Sequence, residues 1–171
     1  MDVRLKRVRD LSSAELAAWR AFRIAPGPGG AVGGYASPFF DPEFTFAVDR
    51  VRDDVFVAVV TEDGQVRALL PHHRRPLGFI RPIGAPLSDW QGPIMAPGYA
   101  FNLEAVLDGM GAGAIRLGGA ADPHGQLARW TLSKAQAYVA DLRQGVEHYF
   151  QWQEENWDHH VKNLRRRERK A

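Results

Sequence analysis

Apolar and polar positions along the chain follow two periods, and between them they mark most of its elements. Residues 2–9, DVRLKRVR, set Val3, Leu5 and, less strictly, Val8 between charged neighbours, the pattern of a half-exposed strand. A helix is predicted next: Ser12 with Glu15 three residues later makes a capping box, and Leu16, Trp19 and Phe22 step by three along one face. That apolar stripe is short, because the i+7 position from Leu16 is the charged Arg23. APGPGGAVGG is too rich in Gly and Pro for regular structure, and its glycines lack the strand before and helix after that a phosphate loop needs. In SPFFDPEFTFAVDRV a second helix is expected, with Asp41 as N-cap, Pro42 in the first turn, and Phe44, Val48 and Val51 at i, i+4 and i+7 as its core face.

The clearest signal is DVFVAVVTEDGQVRALLPHHRR, where two apolar, β-branched runs flank Asp63-Gly64 and predict an antiparallel hairpin. The following LGFIRPIGAPLSDWQGPIMAPG carries four prolines and repeated glycines, which leave room only for short extended pieces. FNLEAVLDGM predicts a short helix, AIRL a strand, and TLSKAQAYVADL a further strand through Tyr138 and Val139. From about Arg143 the pattern is helical, with Val146, Phe150, Gln153, Trp157, Val161 and Leu164 on one mostly apolar stripe. Strand, two helices, hairpin, strand, helix and strand describe an α/β domain with a mixed sheet over residues 1–142, followed by a basic amphipathic helix over 143–171.

Composition narrows the class. The 171 residues are 45% hydrophobic and 25% charged, as in an ordinary folded domain, and no apolar run approaches the roughly 20 residues a bilayer span needs. MDVRLKRVRD lacks the apolar stretch of a secretory signal, and the absence of cysteine fits a cytoplasmic address. Residues 162–171 carry six basic groups against Glu168, a net +5, which leaves residues 1–161 at −3 within the +2 total. A basic face spread over the fold, the usual footprint of nucleic-acid binding, is therefore not evident.

Three stretches offer chemistry. His72 and His73 are adjacent on a strand and point to opposite faces, and no Cys or H-x-x-x-H spacing completes a metal site; His159 and His160 are separated in the same way on a helix. GAPLSDWQGP places Ser88, Asp89, Trp90 and Gln91 between Gly and Pro anchors. An acid, an amide and an indole on a stiff loop suit a sugar or peptide, while a turn with Asp89 capping backbone donors and Trp90 packed on the sheet is the alternative. In RLGGAA, Arg116, Gly119 and Ala121 match the R/Q-x-x-G-x-G/A pattern of acyl-CoA pyrophosphate loops, which work through backbone N–H groups at a helix N-terminus.

SPFFDPEF, VFVAVV, LLPHHRR, PIGAPLSDWQGPI, YVADLRQGVEHY and KNLRRRERK together resemble the N-terminal half of the CelD/BcsL family of GNAT-fold acetyltransferases, linked to cellulose and exopolysaccharide synthesis and distantly similar to the FemABX aminoacyltransferases. The resemblance implies a GNAT-like, mostly antiparallel mixed sheet flanked by helices. It also implies a second GNAT domain following KNLRRRERK as partner and carrier of acetyl-CoA, and a small-molecule or glycan acceptor. On that reading Asp89 is the base or acceptor anchor, and Ser88, Trp90 and Gln91 shape the acceptor pocket. Arg165, Arg166 and Lys170 then face an anionic group, such as CoA phosphate or a nucleotide-linked sugar. A glycan- or protein-binding module without catalysis, and a nucleic-acid domain using the basic tail, stand as alternatives.

Overall fold

The computed structural model describes residues 1–26, 35–135, 142 and 144–156. The chain divides into two compact units, Met1–Thr131 and Leu132–Ala171. The first holds strands β1 (Asp2–Lys6), β2 (Val55–Glu62), β3 (Gln65–Arg74), β4 (Phe79–Pro82), β5 (Ile94–Met95) and β6 (Ala114–Ile115) and helices α1 (Ser13–Ile24), α2 (Pro42–Asp49) and α3 (Leu103–Gly109). The second holds α4 (Val146–Asn156).

The sheet runs β1-β2-β3-β4-β6, with β5 on the same side of β3 as β4. All pairs are antiparallel except β4 with β6, which α3 connects as a parallel crossover. The β2–β3 turn is where the sequence puts it: Asp63 (φ 52°) and Gly64 (φ 73°) both take the left-handed conformation of a tight hairpin turn. Alternation along the strands divides the core between the two faces. Ala58, Val60, Ala68 and Leu70 meet Leu103, Val106 and Met110 around α3, and Val57, Val59 and Leu69 meet Trp19 of α1, Val8, Tyr35 and Phe40.

Local signals explain both helices on the second face. Ser12 and Glu15 form the expected capping box, and Trp19, fully buried, donates its indole N–H to the Phe40 carbonyl at 2.8 Å. In α2 the Asp41 cap and Pro42 stand as expected, but the core face differs. The helix ends at Asp49 after two turns, so the i+7 position is never reached and Val51 is 81% exposed. Pro42 and Thr45 are the buried positions instead.

The strand expected from TLSKAQAYVADL does not begin in the described residues 131–135, and Tyr138 and Val139 lie outside the described residues. Helix from 146 is as expected up to Asn156, and the remainder of the stripe, from Trp157, lies outside the described residues. No helix among the described residues is long and apolar enough to cross a membrane.

One irregularity positions the candidate site. Pro82 faces His72 and Ile94 faces Leu69, so twelve steps from Pro82 to Ile94 advance only three along β3. Nine residues are thereby extruded from what would otherwise be one continuous strand made of β4 and β5. The extrusion contains LSDWQG.

Candidate functional site

The extruded loop is knitted at its base. Leu87 and Ser88 donate their backbone N–H groups to Gly84 O at 2.9 and 3.3 Å, and the Ser88 hydroxyl donates to Ile83 O at 2.8 Å. The Ala85–Pro86 peptide bond within it is cis. Ser88 is buried, so its hydroxyl serves the loop rather than a ligand.

Gln91 is the second stitch and reaches further. Its Nε2 donates to Ser88 O at 3.0 Å, its Oε1 accepts from the Gly118 N–H at 2.8 Å, and its backbone forms a parallel bridge with Ala120. In that bridge the Gln91 N–H donates to Gly119 O at 2.8 Å, and Gln91 O accepts from the Ala121 N–H at 2.9 Å. A Cβ at Gly119 would overlap the Asp89 carbonyl oxygen, so only glycine permits this approach. Two stretches that the sequence offers as separate candidates, LSDWQG and RLGGAA, are therefore one hydrogen-bonded unit.

The side chains divide accordingly. Gln91 and Ser88 are consumed internally, Trp90 is half-buried against the cluster of Trp19, Tyr35, Phe40 and Ala121, and Asp89 is exposed. Asp89 makes no hydrogen bond or ion pair with the other described residues, so its carboxylate is not the backbone cap that the alternative reading of the loop required. Trp90 does pack down on the sheet side, with part of the indole still open to solvent. Arg116 is exposed beside this seam, whereas Ala121 is buried. The N–H groups of Gly118 and Ala121 both point at Gln91, and the next helical turn, Ala128–Trp130, starts seven residues after Ala121 and is three residues long. Arg165, Arg166 and Lys170 lie outside the described residues.

The histidines take opposite faces, as the pleat dictates. His73 donates from Nδ1 to Asp54 Oδ1 at 2.9 Å and accepts the Gly84 N–H on Nε2 at 3.1 Å, which fixes its tautomer and leaves neither nitrogen for a substrate. Burial lowers its pKa, against the opposing pull of Asp54. Asp54 also binds Arg52 at 2.9 and 2.8 Å and Arg75 at 3.3 Å, and the Arg52 guanidinium, followed by His73, holds its carboxyl well below the usual range despite desolvation. This Asp54–His73–Gly84 chain braces the start of the extruded loop. Sequence reasoning missed Asp54, because an aspartate before a strand looks like any turn residue.

His72 is fully buried, stacks on Phe56 with ring centroids 6.5 Å apart, and shares its Nδ1 with Leu70 O at 2.8 Å. Among the described residues its Nε2 has no partner, and burial pushes its pKa down to about 4. Among the described residues no group of three or more His, Asp or Glu side chains is placed to hold a metal ion.

Comparison of the chain with protein-family models, with curated proteins and with solved structures finds no match.

Proposed function

We propose that residues 1–131 form a GNAT-like acceptor-side domain of an acyl-CoA-dependent acyltransferase, acting on an exopolysaccharide or envelope glycan that binds over Asp89 and Trp90. The fold reading rests on the antiparallel β1-to-β4 order with a helix-connected parallel strand added at its edge, which fits the mostly antiparallel mixed sheet that the family resemblance implies. The acceptor reading rests on one observation: a loop stitched by Ser88 and Gln91 leaves a carboxylate exposed beside a partly exposed indole. An indole face stacks on the C–H surface of a sugar ring while a neighbouring carboxylate accepts from hydroxyl or amine groups, and pre-ordering both lowers the entropic cost of binding. Asp89 is placed as acceptor anchor or base, and Trp90 as the stacking surface. Gln91 and Ser88 act through the loop they hold, as positioning residues.

The RLGGAA loop supports the acceptor side over the cofactor side. A pyrophosphate is held by unpaired backbone donors at a helix start, whereas here the donors of Gly118 and Ala121 are engaged by Gln91. Acetyl-CoA would then be supplied from elsewhere, and the same engagement favours the second reading, a glycan-binding module without catalysis. Calorimetry on the full chain addresses both. A cello-oligosaccharide or its amino-sugar counterpart is expected to give heat that Asp89→Ala removes, and acetyl-CoA to give none. Tight acetyl-CoA binding lost in Arg116→Ala would overturn the acceptor assignment.

A further inference from the structure

The end of the sheet where β2 begins and β3 finishes carries exposed apolar and basic side chains outside the acceptor loop. The β3–β4 connection is a three-residue turn, Pro76-Leu77-Gly78, closed by the Arg75 N–H donating to Phe79 O at 2.8 Å. At its apex Leu77 takes φ 62°, ψ 25°, a left-handed conformation that non-glycine residues seldom adopt, and its side chain is fully exposed. A large apolar residue held in that conformation contributes nothing to the core. Phe79, 38% exposed, starts β4 at this end, and Val51, 81% exposed, lies on the segment that leads from α2 into the start of β2.

Five arginines lie on the segments that meet at this end of the sheet. Arg74 and Arg75 precede it and leave the strand on opposite sides, Arg75 toward Asp54 and Arg74 toward Gly111. Arg52 meets Arg75 on the same Asp54 carboxylate, Arg7 binds the carbonyls of Asp53 and Val55 and lies 4.1 Å over the Phe56 ring, and Arg50 is exposed next to Val51. Arg7, Arg50, Arg52, Arg74 and Arg75 stand against Asp49, Asp53 and Asp54, which leaves these segments at 5 − 3 = +2 while residues 1–161 as a whole carry −3. Exposed apolar side chains on basic segments match the two requirements of an anionic lipid surface: apolar groups to enter the acyl boundary, and cations to neutralise headgroups.

We propose that the Leu77 turn is a peripheral membrane-docking element, with Leu77 and Val51 inserting at the headgroup boundary and Arg50, Arg52, Arg74 and Arg75 binding anionic headgroups. The occupant is an anionic bilayer surface. The assignment is independent of the acceptor loop.

The test is co-sedimentation of the full chain with vesicles of phosphatidylcholine alone and of phosphatidylcholine with 30% phosphatidylglycerol. Binding is expected only to the anionic vesicles, and should fall at least tenfold when the salt is raised from 0.1 to 0.5 M. Leu77→Asp should weaken binding about tenfold with an unchanged circular dichroism spectrum, since Leu77 touches no core residue and Asp tolerates the left-handed conformation. Val51→Asp is the second insertion variant, and Arg74→Gln with Arg75→Gln should act like added salt. The basic residues 162–171 are present in every sample, so vesicle binding that Leu77→Asp and Val51→Asp leave unchanged would belong to that segment and would overturn the proposal. Equal binding to neutral vesicles, or none to anionic ones, would overturn it too.

Discussion

Gln91 and Gly118 lie 27 positions apart in the sequence and are joined by a 2.8 Å hydrogen bond from the Gly118 N–H to the Gln91 side-chain oxygen. The other end of the same amide holds Ser88 O, so one buried side chain ties the extruded loop to itself and to its neighbour. Gln91→Ala leaves a carbonyl and an N–H without partners, and should cost about 2 to 3 kcal/mol in urea unfolding. Gln91→Glu should cost at least as much, because a carboxylate oxygen would then face the Ser88 carbonyl. A loss under about 0.5 kcal/mol for both would mean that the stitch does not hold the loop.

Gly119 and Gly64 make a second comparison, since each excludes a side chain for a different reason. Gly119→Ala drives a methyl into the Asp89 backbone, and should destabilise by about 1 to 3 kcal/mol while displacing the loop. Gly64 has open space around it and only its left-handed φ of 73° to protect, so Gly64→Ala should cost about 1 kcal/mol and leave ligand binding unchanged. Equal effects of the two on oligosaccharide affinity would contradict the role given to the loop's position.

Acid should weaken the fold through His72. Burial holds its folded pKa at about 4, whereas the unfolded chain takes up the proton near the ordinary 6.5. Stability is therefore complete above about pH 6.5 and is lost as pH falls from there toward 4, by about 3 kcal/mol over the window. His73, lowered by burial, adds in the same sense. Asp54, with a depressed carboxyl, stabilises above its unfolded value near 4 and loses that contribution only below it. His72→Leu gives up one bond to Leu70 O and removes the unpartnered Nε2, so it should flatten the dependence of urea midpoints between pH 6.5 and 4.5. A slope unchanged by this substitution would place the acid sensitivity elsewhere.

How much of this was legible in the sequence depends on whether the signal is local. The Ser12–Glu15 box, the Asp41 cap and the Asp63-Gly64 turn each depend on residues within a few positions, and each is present. The pleat alone separates His72 from His73. Val51 misled because periodicity does not reveal where a helix stops, and α2 ends two residues before it. The extrusion was illegible for another reason. Prolines and glycines mark where a strand breaks, but nothing local shows that Ile94 resumes the edge of β3 that Pro82 left. Gln91 likewise carries no signal of its partner, since a glutamine's role as a clamp is set by tertiary contacts. Composition alone marks GAPLSDWQGP as a stiff loop bearing an acid, an amide and an indole, and the structure adds which of its side chains face inward.

Asp89 and Trp90 should separate binding from stability. Asp89 is exposed and unpaired among the described residues, so Asp89→Asn should move stability by less than about 0.5 kcal/mol while weakening glycan affinity. Trp90→Ala should lower both, as its partly buried indole packs on the core. Its binding loss should be about tenfold, the scale of one aromatic contact.

The most direct measurement of the acceptor assignment is a titration of the full chain followed at the Trp90 indole N–H by two-dimensional NMR, assigned by comparison with Trp90→Phe. A cello-oligosaccharide or its amino-sugar counterpart should shift this resonance in a saturable way, Asp89→Asn should weaken the effect, and acetyl-CoA should leave it in place. A Trp90 resonance unmoved by either sugar, with acetyl-CoA instead shifting the backbone N–H groups of Gly118 and Ala121, would contradict it.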